Sequence, residues 1–165
     1  EICACLVGSE MCIRDSVRKL RAAFPEQFIG GIQDSPFAQT QCPDLILSEH
    51  STWKRIYLHR MKHSEICIAS TGLHQSSGWK IAEYLAAGRA IVSEPLCYEV
   101  PGPFQAGENY LTYTSADGCI EQIRTLLAHP EQILQMGQRN RAYYDEWLRP
   151  DQIVAKALEQ AKISL

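Results

Sequence analysis

The chain has 165 residues, of which 45% are hydrophobic and 21% charged, an ordinary composition for one globular domain. Sixteen Lys and Arg stand against 19 Asp and Glu, and the net charge of −3 argues against a nucleic-acid partner, which usually requires a basic surface. No run of about 18 apolar residues occurs, so the sequence predicts no membrane span.

The seven cysteines, at positions 3, 5, 12, 42, 67, 97 and 119, are odd in number, and no two have the two-residue spacing of a zinc or thioredoxin motif. Cys67 and Cys97 lie in or beside apolar runs, where a free thiol behaves as a small hydrophobic group. We therefore expect reduced thiols and a cytoplasmic protein.

The N-terminal segment needs a separate interpretation. Residues 5–16, CLVGSEMCIRDS, resemble a peptide produced by translation of a sequencing adapter. On this interpretation residues 1–16 are a non-native segment, and residues 17–165 form one domain of a longer protein. The alternative is a genuine strand and turn. The segment lacks the basic start and sustained apolar stretch of a signal peptide.

The rest of the chain alternates between helical and extended patterns. Apolar residues at spacings of three and four predict helices at 17–24, 51–62, 78–88, 115–128, 131–147 and from 150 onward. Short runs of β-forming residues predict strands at 28–32, 65–69, 90–92 and 109–114, with 45–47 as a strand or a helical turn. The alternation predicts an α/β fold with a Rossmann-like parallel sheet of four or five strands, which fits one half of a two-domain enzyme.

The apolar run 66–69 leads into the stretch 72–94, and together they have the pattern of a strand, a Gly/Ser loop, a helix and a second strand. Ile81, Tyr84 and Leu85 share one helical face, and Gly88 is a natural helix end. In a parallel sheet such a loop places free N–H groups and the positive end of a helix at one edge, where anions bind. The stretch therefore predicts an anion-binding site.

A family resemblance rests on four segments in order: KIAEYLAAG (80–88), AIV (90–92), GENYLTY (107–113) and LAHPEQ (127–132). Together they resemble the C-terminal, donor-binding domain of GT-B-fold glycosyltransferases of group 1, and most closely the spore-maturation-type members. The resemblance implies two Rossmann-like domains with a nucleotide-sugar between them. It also implies that the N-terminal acceptor domain, with any catalytic base, is missing from this chain, and that no metal or other cofactor is needed.

The resemblance also implies which residues bind the donor. Glu83 corresponds to the family's ribose-binding Glu, and a carboxylate suits a vicinal diol because it accepts two hydrogen bonds. The loop 72–78 would face the sugar and diphosphate. The predicted donor-binding residues are Gly72, His74, Gln75, Ser76, Ser77, Lys80 and Glu83, while the catalytic residues are unknown.

Several of these positions keep an alternative interpretation. Ser76 and Ser77 are either phosphate donors or the N-cap of the following helix, and His74 either contacts the donor or is merely solvated. Many relatives carry a second Glu eight residues before the first, where this chain has Gln75. Their phosphate-neutralising Arg and Lys after the first strand are also absent at Gln33 and Asp34.

Two further pairs of residues have side chains of the kinds found in metal or catalytic sites. His59 and His63 share a helical face and a metal is conceivable there, but no third ligand is placed by spacing, so we predict no metal site. Glu94 and Glu99 follow a strand and form a conceivable catalytic pair, although loop carboxylates are commonly solvated. The sequence thus predicts the donor-binding half of a glycosyltransferase, with a catalytically degenerate GT-B module that serves as a binding or scaffold domain as the alternative.

Overall fold

In the computed structural model, residues 1–5 and 11–163 are described. The strands are β1 (Ile2–Cys5), β2 (Phe28–Gly31), β3 (Ile66–Ala69), β4 (Ala90–Ser93) and β5 (Leu111–Thr112). The helices are α1 (Met11–Ala23), α2 (Pro36–Gln41), α3 (Glu49–Thr52), α4 (Lys54–His63), α5 (Gly78–Ala86), α6 (Ala116–Ala128), α7 (Pro130–Tyr143) and α8 (Pro150–Ile163). A 3-10 turn covers Pro43–Leu45, and a wider helical turn covers Tyr144–Leu148.

All the strands pair in parallel, in the order β2-β1-β3-β4-β5. The register pairs Cys3 with Ile29 on one side and with Cys67 on the other, so β1 lies between β2 and β3. The predicted α/β class with a parallel sheet is confirmed. Part of the segment predicted as non-native lies outside the described residues, at 6–10, and the origin of residues 1–16 stays a prediction.

Helices cover both faces of the sheet because alternate strand residues point in opposite directions. Ile66 and Ile68 of β3 pack into one core with α1 and α6. Cys67 and Ala69, between and after them, pack into a second core with α4 and α5. All four are 0–1% exposed. A strand buried on both faces reads as a continuous apolar run rather than as an alternation, as this one does.

The strand β4 meets helix α7 where β5 is too short to cover it. β5 pairs only with Val92 and Ser93. Ile91 faces the same side as Ser93, and its N–H donates instead to the buried Sδ of Met136 in α7, at 3.3 Å. A helix side chain thus takes the place that a longer neighbouring strand would occupy.

The amino-terminal edge of the sheet is closed by direct backbone contact. A Cβ added at Gly137 of α7 would lie 2.5 Å from the carbonyl oxygen of Gly88, so only glycine permits this approach. Next to it, the buried Asn140 donates from Nδ2 to the carbonyls of Arg89 (2.8 Å) and Asn109 (2.9 Å). Its Oδ1 accepts from Asn109 Nδ2 at 3.2 Å. These bonds tie α7 to both flanks of β4.

Some element boundaries differ from the predicted ones, for local reasons. The predicted helix 51–62 is broken at Trp53, whose backbone is extended, because Thr52 Oγ1 bonds back to Glu49 O and closes a separate turn. The predicted strand 109–114 shortens to β5, because Gly107 N–H bonds to Tyr110 O and the residues before β5 form a turn. The first helix begins earlier than predicted, and the predicted helix 131–147 ends at Tyr143.

Two observations concern location and redox state. Across residues 1–5 and 11–163, no helix combines the length and apolar character that a bilayer crossing requires. Free thiols are present at Cys3, Cys42, Cys67, Cys97 and Cys119, and of these only Cys97 is exposed. Burial raises the pKa of the Cys119 thiol to about 12, so this cysteine stays protonated and acts as a core residue.

Candidate functional site

The strand order locates the candidate site. In an open parallel sheet, ligands bind outside the carboxyl ends of the strands, at the point where the strand order reverses. Here the reversal falls between β1 and β3, since the chain runs outward from β1 to β2 and then returns to β3. The loop 70–77 leaves β3 at this crevice and leads into α5. The stretch singled out in the sequence therefore lies at the topological switch point.

The loop 70–77 is a tight turn with unusual backbone angles. Gly72 N–H donates to Ser76 O at 2.8 Å, and Gln75 N–H donates to Gly72 O at 3.0 Å. His74 (φ 55°, ψ 33°) and Gln75 (φ 60°) are both left-handed, a conformation that costs a non-glycine residue about 1–2 kcal/mol. A Cβ at Gly72 would lie 2.6 Å from Ser76 Oγ. Such strain persists only where neighbours hold it in place.

Two side chains from the loop after β4 hold this turn. The carboxylate of Glu94 accepts from both the N–H and the hydroxyl of Thr71, each at 2.7 Å. The Tyr98 hydroxyl donates to the carbonyl of His74 at 3.1 Å. From the sequence, Glu94 and Glu99 form a conceivable catalytic pair. In the structure Glu99 is exposed. The contacts show instead that Glu94 positions the loop.

The start of α5 leaves its N–H groups open. Ser77 occupies the N-cap position in a helical conformation (φ −66°, ψ −14°), and its hydroxyl makes no capping hydrogen bond. Gly78 follows with φ +64°. A right-handed residue followed by a left-handed one turns successive N–H groups toward one concave point, an arrangement that binds anions. The Ser77 hydroxyl thus does not cap α5, which was one of its two predicted roles. Its other predicted role, as a donor to phosphate, stays a prediction.

Glu83 lies on α5 about 7.5 Å from Gly78 along the helix axis, given a rise of about 1.5 Å per residue. Its side chain is 25% exposed, and its Oε1 forms an ion pair with Nζ of Lys54, the first residue of α4. The Lys54 ammonium also lies 5.2 Å from the ring centroid of Tyr57, and the Lys54 side chain is 65% exposed. A mostly buried carboxylate with an exposed counter-ion remains able to accept further hydrogen bonds.

Beside Glu83 lies a polar atom without a partner. The Tyr57 hydroxyl is buried and lies near the side chains of Glu83 and Tyr84, but it meets the geometry of a hydrogen bond with no group in the part of the chain that the structure describes. Burial raises the pKa of Tyr57 well above its ordinary value, and the nearby Glu83 carboxylate adds to the effect. Buried hydroxyl groups without partners are uncommon in native proteins. The site therefore contains an unused donor next to its best acceptor.

The predicted residues fall into two groups. Gly72, His74, Gln75, Ser76 and Ser77 form the turn and the start of α5, with Lys80 half-buried in the first turn. Glu83 lies one and a half turns further along the same helix. The residues that sequence reasoning missed are Lys54, Tyr57 and Thr71; Lys54 reaches the site from 29 positions away, and no local pattern connects it to Glu83.

The histidine pair has a structural explanation. The rings of His59 and His63 lie with centroids 4.2 Å apart, and His63 Nδ1 contacts the carbonyl of His59 at 2.7 Å. This contact engages one ring nitrogen of His63 and holds the ring against its own helix. Over the described residues, no three His, Cys, Asp or Glu side chains are grouped as a metal ion would require.

A separate cavity of about 650 Å³ lies at the opposite, amino-terminal edge, between the end of α5 and helix α7. Its arginines are already engaged. Arg141 donates to Ala86 O and pairs with Asp145, and Arg89 donates to Ala87 O. Both guanidinium groups thus satisfy the last carbonyls of α5. We therefore place the functional site at the carboxyl edge.

Comparison with known proteins agrees with this geometry. A model of the glycosyl transferase-like family matches residues 37–163. The match covers more than half of the chain, so the chain belongs to this family. Among curated proteins, none matches the chain.

Solved structures share the fold at low sequence identity. The C-terminal domain of the glycosyl transferase group 1 family protein LpcC from Francisella tularensis has a TM-score of 0.66 at 8% identity, over 87% of this chain and 84% of that one. The GtfA/B complex gives 0.60 at 13% identity, over 98% of this chain and 35% of that one. A UDP-GlcNAc 2-epimerase from Neisseria meningitidis, bound to UDP-GlcNAc, gives 0.54 at 16%, over 83% and 39%.

These similarities confirm that the fold is that of a GT-B glycosyltransferase C-terminal domain, as the resemblance implied. At these identities they bear on the fold alone. The chain spans little more than a third of the length of the GtfA/B and epimerase chains.

Proposed function

We propose that this chain is the donor-binding half of a glycosyltransferase that transfers a sugar from a nucleotide-sugar to an acceptor. The family membership supports the transferase class. The site at the switch point supports an anionic, hydroxyl-rich donor, because it combines open N–H groups with a half-buried carboxylate.

The diphosphate of the donor would lie at the start of α5. The first turn there has no side-chain cap, Gly78 is left-handed, and the helix dipole adds positive potential at this end. As the sugar leaves, negative charge develops on the diphosphate, and fixed N–H dipoles stabilise that charge without reorganising. Lys80 in the first turn contributes a positive charge, and no metal ion is required for this role.

The observation that carries the proposal is the environment of Glu83. Its carboxylate is mostly buried, lies on the helix whose start would hold the diphosphate, and is held by a single cation. The interval of about 7.5 Å between Glu83 and Gly78 suits a ribose bound next to its own phosphates. The two ribose hydroxyls would donate to the carboxylate oxygens, as in dinucleotide-binding folds.

The acceptor would bind to a second domain. The similarity to a structure that is itself a C-terminal domain, and the partial coverage of the two longer chains, support an N-terminal partner domain. Transfer would take place in the cleft between the domains, with Gln75 placed to hydrogen-bond a sugar hydroxyl. The general base would come from the partner domain.

Calorimetric titration of UDP and GDP into the wild-type chain and a Glu83→Ala variant tests the proposal. We expect one of the nucleotides to bind the wild type and its affinity to fall roughly tenfold or more in the variant, because two charge-assisted hydrogen bonds are lost. Glu121→Ala, on an exposed face of α6, is the matched control and should bind like the wild type. Equal affinity of the wild type and Glu83→Ala would falsify the ribose role.

A catalytically degenerate module that binds or scaffolds is the second candidate. Two features favour it: Gln75 stands where many relatives have a carboxylate, and Glu83 already has Lys54 as a counter-ion. The test is turnover of a nucleotide-sugar by the protein together with its N-terminal domain. Release of free nucleoside diphosphate that depends on an acceptor would exclude this candidate.

A further inference from the structure

One ion pair at the proposed donor site joins two different helices. Lys54 and Glu83 come from different helices, α4 and α5, and both helices begin at the carboxyl edge of the sheet, since α4 leads into the start of β3 and α5 leaves its end. The Lys54 arm is mostly exposed, while the Glu83 carboxylate is not. An ion pair with one exposed partner stabilises a fold by at most about 1 kcal/mol, so it is easily exchanged.

The Glu83 carboxylate and the Tyr57 hydroxyl together suit the hydrogen bonds of a sugar diol better than those of a lysine. The Lys54 ammonium lies over the Tyr57 ring, and the Tyr57 hydroxyl beside Glu83 has no hydrogen-bond partner within the described chain. When Lys54 moves away, a carboxylate and a phenol hydroxyl become available side by side. Together they offer two acceptors and one donor, which two neighbouring sugar hydroxyls can satisfy.

The displaced lysine has a second anion within the site. The start of α5, where the diphosphate would lie, is at the same edge of the sheet as the first residue of α4. A lysine is a point charge on a flexible four-carbon arm, so it can exchange one anionic partner for another without moving the backbone.

We propose that Lys54 is the exchangeable counter-ion of the donor site: it occupies Glu83 in the free protein and moves to the diphosphate when the ribose diol takes Glu83 and Tyr57. This inference rests on the proposed function, because it assigns a role at the same site. The alternative is a permanent ion pair that only joins α4 to α5, called a staple below, in which Lys54 would stay on Glu83 whether or not ligand is bound.

The exchange predicts opposite effects on two ligands that differ only in phosphate. In a Lys54→Met variant, a nucleoside no longer has to displace a cation from Glu83, so its affinity should be unchanged or higher. A nucleoside diphosphate loses its lysine contact, so its affinity should fall roughly tenfold, the usual size for a hydrogen bond to a charged group. A staple would shift both ligands in the same direction or neither.

The experiment is calorimetric titration of UDP and uridine, and of GDP and guanosine, into the 165-residue chain and its variants. Lys62→Met is the matched control, because Lys62 is an exposed cation two turns further along the same helix, without an ion-pair partner among the described residues. Tyr57→Phe should weaken nucleoside and diphosphate equally, by roughly threefold to tenfold, since it removes only a diol contact. Thermal melts confirm that all variants fold.

The outcomes separate the two proposals. If the wild type binds neither UDP nor GDP, the proposed function fails and this inference fails with it. If the wild type binds a nucleotide through Glu83 but Lys54→Met changes diphosphate and nucleoside affinity in parallel, the donor site stands and the counter-ion exchange is overturned. A divergence in Lys54→Met that Lys62→Met lacks supports the exchange.

Discussion

The two edges of the sheet are built in opposite ways. At the amino edge, Gly88 and Gly137 bring two backbones into contact, and buried Asn109 and Asn140 bond to each other and to neighbouring carbonyls. At the carboxyl edge, the loop 70–77 carries two left-handed residues and exposed polar side chains, and the buried Tyr57 hydroxyl has no hydrogen-bond partner among the described residues. The difference indicates that the amino edge stabilises the fold. The carboxyl edge therefore tolerates a strained loop and a hydroxyl that is available to a ligand.

The largest loss of stability is expected for Gly137→Ala, at the amino edge. The added Cβ would meet the backbone oxygen of Gly88 at 2.5 Å, and a backbone atom cannot rotate away. We expect a loss of about 3 kcal/mol in the free energy of unfolding, measured by urea denaturation. Gln138→Ala, the exposed neighbour on α7, is the control and should change stability by less than about 0.5 kcal/mol. A loss below about 1 kcal/mol for Gly137→Ala would show that α7 moves easily and that the amino edge is not rigid.

Asn140→Leu should have a somewhat smaller effect. Leucine keeps the volume but leaves the carbonyls of Arg89 and Asn109 without donors, at a cost of about 2 kcal/mol. The turn before β5 should also be cut faster by proteases, because Asn109 no longer ties it to α7. Limited proteolysis with mass spectrometry measures this, and cleavage at residues 105–109 no faster than in the wild type would contradict the role of the network.

At the carboxyl edge we expect a substitution that raises stability instead of lowering it. Gln75→Gly removes the cost of a left-handed side chain, and stability should rise by up to about 1 kcal/mol, offset in part by the flexibility of glycine in the unfolded chain. Ser76→Gly, whose backbone is not left-handed, should lower stability by roughly 0.5 kcal/mol. Urea denaturation of both variants compares them. If Gln75→Gly destabilises as much as Ser76→Gly does, the loop does not store strain.

Part of this architecture could be predicted from sequence. The short apolar run of β3, the helical spacing of Ile81 and Leu85, and the helix end at Gly88 are all local signals, so the unit from β3 to β4 follows from local pattern. The place of β1 between β2 and β3 could not be predicted, because strand order depends on pairings between residues far apart in the chain. The four residues of β1 carry no signal of a central position.

The candidate site divides in the same way. The family resemblance pointed to Glu83, whereas the partners Lys54 and Tyr57 come from another helix and required three-dimensional packing. The left-handed angles at His74 and Gln75 could not be predicted either, because neither residue type demands them. They result from the turn that Gly72 and Ser76 close and that Glu94 and Tyr98 hold in place.

The sulfur-bound amide of Ile91 has a consequence for measurement. Thioether sulfur is a weak acceptor, so this N–H depends on the presence of α7 more than on the strength of its hydrogen bond. Its exchange with deuterated solvent therefore measures how often α7 lifts from the sheet. Oxidation of Met136 would replace the sulfur acceptor with a polar oxygen inside the core, and a peroxide-treated sample would show α7 loosening at this single amide.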